Sequence, residues 1–75
     1  MKDLVETIAK ALVDEPDKVV VTEETNDKGT HIVLTVAQGD TGKVIGKQGK
    51  VANAIRAVVK AAGVRKGIQV MVDIE

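Results

Sequence analysis

Residues 42–50 read Gly42-Lys43-Val44-Ile45-Gly46-Lys47-Gln48-Gly49-Lys50, a lysine-rich stretch with glycines at 46 and 49. Gly39-Asp40 closes the segment before it, and Asp40 or Thr41 is placed to cap one helical turn over 42–46. Gly46 to Gly49 break that turn, and a longer helix starts at Lys50. The chemistry suits an anion. Two positions without Cβ let a sugar–phosphate backbone come close. Loop N–H groups and a helix start offer partial positive charge. Lys43, Lys47 and Lys50 add full charges.

Two other phosphate-binding patterns fail at the same residues. A nucleotide P-loop needs Gly-x-x-x-x-Gly-Lys-Ser/Thr. Counting from Gly42, the second glycine falls on Lys47; from Gly39, it falls on Val44. A dinucleotide fingerprint needs Gly-x-Gly, and no such pair occurs.

Working outward, residues 50–62 predict an amphipathic helix with Val51, Ala52, Ile55, Val58, Val59 and Ala62 on its apolar face. Arg56 and Lys60 fall on the opposite, solvated side. Gly63 suits the position after a helix end, and 63–67 read as a short loop carrying Arg65 and Lys66. Residues 68–74 alternate as a last strand, with Met71 assigned to the core. Upstream, 18–25 and 30–38 read as strands joined by turn chemistry at Asn26-Asp27-Lys28-Gly29, which makes an antiparallel hairpin. Ile32, Leu34 and Val36 share one strand face, while His31, Val33 and Thr35 take the other. His31 therefore reads as a structural strand residue. Residues 3–14 form an amphipathic helix through Leu4, Val5, Ile8, Ala9, Leu12 and Val13, with Asp3 and Glu6 as a capping box and Pro16 as the stop.

The order α-β-β-α-α-β places two helices between the second and third strands. Such a crossover makes those strands parallel. The expected fold is α+β: a three-stranded mixed sheet covered on one face by three helices.

Composition removes several functions. The chain has 75 residues, enough for one domain over 1–75, with no Cys, no Ser and one His. A Ser or Cys nucleophile with a His base cannot be assembled, and one His plus carboxylates is a poor zinc set. Glu23 and Glu24 point to opposite strand faces, and Asp14, Glu15 and Asp17 read as surface acids. No enzyme, metal or cofactor is expected. With no Phe, Tyr or Trp, aromatic stacking of bases is excluded. No apolar run reaches the roughly 18 residues of a membrane span, so a soluble cytoplasmic chain is expected.

The net charge of zero hides a division. Residues 1–40 hold four Lys against nine acids, while 41–72 hold seven basic residues and no acid. Such a bipolar chain turns its second half toward an anion.

Val44-Ile45-Gly46-Lys47-Gln48-Gly49, followed by Ala52 and Ile55, resembles the (V/I)-I-G-x-x-G signature of KH domains, and the element order matches their type II arrangement. The likeness covers essentially the whole chain. It is nearest to the KhpA family of stand-alone bacterial KH proteins, which share the opening helix and the run here written Val13-Asp14-Glu15-Pro16-Asp17. The resemblance implies a groove for about four single-stranded nucleotides, clamped by the Gly-x-x-Gly loop. By position, Gly46 and Gly49 admit the RNA backbone, Lys47 and Gln48 face phosphates, and Lys43 and Lys50 flank them. Val44 and Ile45 lead into the loop; at most one points at the core, and the other floors the groove. The resemblance further implies an RNA-chaperone role, self-association as a homodimer and association with a second, KhpB-like KH protein. The rival expectation is an interaction module with a KH-like scaffold that docks a partner protein. Both glycines and Lys47 favour RNA.

Overall fold

The computed structural model describes all 75 residues. Helix α1 spans Lys2–Leu12, strands β1 and β2 span Val20–Asn26 and Gly29–Thr35, helices α2 and α3 span Thr41–Ile45 and Lys50–Lys66, and strand β3 spans Val70–Ile74. Short 3-10 turns at Pro16–Lys18, Gln38–Asp40 and Lys47–Gly49 join them. The expected α-β-β-α-α-β order is the observed one. β1 pairs antiparallel with β2 through a register that opposes Val21 to Leu34, and β2 pairs parallel with β3, Ile32 facing Val72. The sheet order is β1-β2-β3, which leaves β3 an edge strand.

Strand alternation explains the core. Val21, Ile32, Leu34 and Val72 point to the helical side and are buried, where they meet Val5 and Ala9 of α1, Val44 of α2, and Ile55 and Val59 of α3. Removing this apolar area from water is the main driving force for folding. The other sheet face carries no helix, and His31, Thr22, Thr35, Met71 and Asp73 lie on it at least partly exposed. There His31 Nε2 and Asp73 Oδ2 lie 2.6 Å apart, so the single histidine has a strand neighbour as its partner. Two further contacts tie down the first helix and the turn that follows it. The Lys2 backbone N donates to Glu23 Oε2 at 3.0 Å, and Glu15 N donates to the buried Asp40 carboxylate at 3.0 Å.

Several boundaries and faces differ from expectation. α1 stops at Leu12 rather than at 14, and Met1, not Asp3, holds its N-cap position with no side-chain cap. The capping box does not form because the N-cap position falls two residues earlier than Asp3, and Glu6 instead pairs with Lys10 one turn on at 2.7 Å. That contact lowers the Glu6 pKa, chiefly through the Lys10 hydrogen bond. Asp40 holds the N-cap position of α2 but does not cap it, since its carboxylate is turned to Glu15 N. The strands are also shorter than read: β1 begins at Val20, β2 ends at Thr35 and β3 begins at Val70.

The largest correction concerns α3. It runs through Gly63 to Lys66, so 63–66 are helical rather than a loop. Gly63 is needed for packing: a Cβ there would stand 2.7 Å from Val70 Cγ2 and 3.0 Å from Ile68 O. The helix ends instead at Gly67, φ 73°, where Gly67 N bonds Val64 O and Ile68 N bonds Gly63 O, a Schellman closure. Leu12, Val58 and Met71, assigned inward, are exposed. Met71 lies on the bare sheet face because Val72, its neighbour, takes the inward position.

Candidate nucleic-acid interface

α2 and α3 meet at the segment 46–49, and its backbone is unusual at three of four positions. Gly46 has φ 75° and ψ 175°, a region that is essentially glycine-only. A Cβ at Gly46 would also stand 2.5 Å from Val51 Cγ2. Gly49 is left-handed, φ 75° and ψ 14°, but crowding there is absent: its nearest neighbour would be Asn53 Nδ2 at 3.9 Å. Between them Gln48 adopts φ 57°, the one non-glycine residue with positive φ. Such strain in a surface loop costs about 1 kcal/mol or more and concentrates at functional positions. The outcome is a tight projection with Lys47 and Gln48 exposed at its tip and Lys50 exposed at the start of α3.

The flanking residues divide as the pattern requires. Val44 is fully buried and anchors α2 in the core, while Ile45 stays half-buried at the approach to the loop. Lys43 behaves differently from Lys47 and Lys50. It is drawn into an acidic pair, hydrogen-bonded to Asp14 and 3.7 Å from Asp40 Oδ1. The Asp14 hydrogen bond raises the Lys43 pKa. The structure therefore brings Gly46, Lys47, Gln48, Gly49 and Lys50 together at one projection and turns Lys43 toward the acids of the first half.

One contact escaped the sequence. Arg56, expected to be solvated, donates from Nε to the Val72 carbonyl at 3.2 Å and from Nη1 to Asn53 Oδ1 at 3.4 Å. It lines an open cleft of about 450 Å³ between α3 and β3, together with Lys60, Val70, Met71, Val72 and Asp73. No local signal predicts this, because Arg56 and Val72 are 16 positions apart and the acceptor is backbone.

With this geometry in view, comparison with known proteins is direct. The family model described as the KhpA/KhpB KH domain matches residues 2–74. The chain belongs to the KhpA/KhpB KH-domain family. Its three helices and three-stranded mixed sheet are the type II KH arrangement. It is 55% identical over 74 residues to the RNA-binding protein KhpA of Clostridium acetobutylicum, covering 99% of each chain. It is 54% identical to the RNA-binding protein KhpA of Caldanaerobacter subterraneus, again over 99% of each, and 47% identical to that of Aquifex aeolicus over 99% of this chain and 94% of the relative. The KhpA/KhpB KH-domain family is non-enzymatic. No helix of this member is long and apolar enough to cross a membrane.

Proposed function

We propose that this KhpA-family chain binds single-stranded RNA, with the Gly46–Gly49 loop as the clamp on the RNA backbone. The observation that carries the reading is the loop itself: two positive-φ glycines and a positive-φ Gln48 hold Lys47 and Gln48 out at the junction of two helices. A backbone so arranged gives a phosphate close access, and Lys47 and Lys50 supply the charge. The names of the relatives, RNA-binding proteins all, support the ligand class. Ile45 offers aliphatic contact at the approach to the loop, in keeping with a chain that has no aromatic residue. A groove for about four nucleotides gives modest affinity and modest specificity, which fits a general RNA-binding or RNA-chaperone role in the bacterial cytoplasm. The direct test follows backbone amide signals by NMR while a single-stranded RNA is added. Shifts should centre on 45–50; shifts confined to α1 and β1 would contradict the proposal.

A second, compatible reading is docking to another copy or to a KhpB-like KH protein. It is favoured by the outer side of α3, where Val58 and Val64 are 49% and 69% exposed beside Ala57 and Ala61. Pairing would add avidity to a short groove. Light scattering over a range of concentrations tests it: a mass that stays monomeric removes the self-association part.

A further inference from the structure

We infer that Arg56, anchored on the Val72 carbonyl at the open edge of β3, sets the base preference of the groove. The inference rests on the RNA-binding reading above and adds to it a specificity residue.

The parity of β3 establishes which backbone groups are on offer. Thr30 N donates to Gln69 O and Glu75 N donates to Leu34 O, both at 2.8 Å. Residues 69 and 75 thus face β2, and alternation along a parallel ladder turns the N–H and C=O of Val70, Val72 and Ile74 to the open side. An open strand edge ordinarily offers both donors and acceptors. Here the central acceptor is taken, because Arg56 Nε donates to Val72 O at 3.2 Å. Asn53 Oδ1 steadies the guanidinium at Nη1 and Asn53 stands one turn from Gly49, where an added Cβ would lie 3.9 Å from Asn53 Nδ2. The loop, Asn53, Arg56 and the β3 edge form one continuous line.

The consequences for a base are chemical. Nε is engaged and Nη1 is partly engaged, so the outer end of the fork, Nη1 and Nη2, remains to donate to two adjacent acceptors. Cytosine presents O2 and N3, and guanine presents O6 and N7. Adenine meets this fork poorly: its N6 amino group is a donor beside the N7 acceptor, so it offers no two adjacent acceptors and sets a donor against the guanidinium. Arg56 therefore favours a base with two adjacent acceptors over adenine. Removing Arg56 both deletes the fork and frees the carbonyl.

The test measures anisotropy of labelled UUUCCUUU, UUUGGUUU and UUUAAUUU with wild type, Arg56→Ala, Arg56→Lys and the loop variant Lys47→Asp/Gln48→Asp, each checked for folding by circular dichroism. Wild type should bind the C or G strand about tenfold tighter than the A strand, the margin of one good bidentate contact. The C and G arms show which acceptor pair is preferred. Arg56→Ala should lose most of that margin, and Arg56→Lys should lose it too, because an ammonium keeps the charge without the fork. An unchanged margin in both Arg56 variants, or no margin in wild type, overturns the inference. If wild type binds none of the strands, or the loop variant binds as well as wild type, the RNA-clamp reading itself fails.

Discussion

Gly46 lies against Val51 so closely that a Cβ at Gly46 would stand 2.5 Å from Val51 Cγ2. At Gly49 the same addition meets nothing nearer than 3.9 Å. The two glycines of the loop are thus required for different reasons. Gly46 is held by conformation and by packing; Gly49 is held by its left-handed backbone alone, with open space before it. Gly46→Ala should cost about 3 kcal/mol, a glycine-only backbone region plus overpacking. Gly49→Ala should cost about 1–2 kcal/mol, the usual penalty of the left-handed region. Urea unfolding of both variants checks this, and equal losses would mean that the Val51 contact relaxes freely.

Gly63 gives a prediction of opposite sign to helix propensity. Gly to Ala inside an exposed helix gains up to about 1 kcal/mol. At Gly63 the new methyl would meet Val70 Cγ2 at 2.7 Å and the Ile68 carbonyl at 3.0 Å. Overpacking of this kind costs about 1–3 kcal/mol, so Gly63→Ala should lower the midpoint of thermal unfolding. A raised midpoint would show that β3 shifts away from α3 without cost.

Asp40 and Asp14 both hold Lys43 but differ in burial. Asp40 is buried and accepts the Glu15 N–H, whereas Asp14 is exposed. Asp40→Ala strands a backbone donor and should cost about 1–3 kcal/mol. Asp14→Asn removes only a surface pair and should cost about 1 kcal/mol or less. Denaturant midpoints of the two variants rank them; a larger loss at Asp14 would contradict the assignment.

The Glu6–Lys10 pair sets a small acid dependence. The folded pKa of Glu6 lies below its ordinary value near 4.5. Its contribution is therefore fully present above that ordinary value and is lost as pH falls through the lowered one. Lys10→Met should lose that contribution near neutrality and converge on wild type in acid, so that its stability profile is flatter below pH 4.5. A variant that is as stable as wild type near neutrality and falls with the same slope in acid removes the pair from the account.

Ionic strength reports the number of phosphates engaged. With about three contacts from the loop region, log K against log salt should slope near −2 for a single strand. Raising salt from 50 to 200 mM should weaken binding about 20-fold. A flat response would leave no role for Lys47 and Lys50 on phosphate.

Much of this was legible in the sequence because periodicity is local. Ile32 and Leu34 alternate inward as read, and the two-helix crossover makes β2 and β3 parallel. The misreadings have physical causes. Gly63 looks like a helix stop, but its small size serves contact with Val70, which a local pattern does not reveal. Met71 and Val58 are apolar yet point outward, since one face of β3 and one side of α3 have no neighbour within the chain. The Gly46–Gly49 projection follows from its own residues, but Lys43 is claimed by Asp14, 29 positions away. Arg56 likewise finds its acceptor on a strand distant in sequence. Such long-range polar partners emerge only once the chain is folded.

The central claim is that the Gly46–Gly49 loop is an RNA clamp, and one comparison tests it most directly. Anisotropy of a labelled single-stranded RNA is measured with wild type and with Lys47→Asp/Gln48→Asp, both confirmed as folded by circular dichroism. Both side chains are exposed at the loop tip, so the core is untouched while two acids face phosphate. The account predicts binding by wild type and its loss, by at least tenfold, in the variant. Equal binding by the two proteins would contradict it.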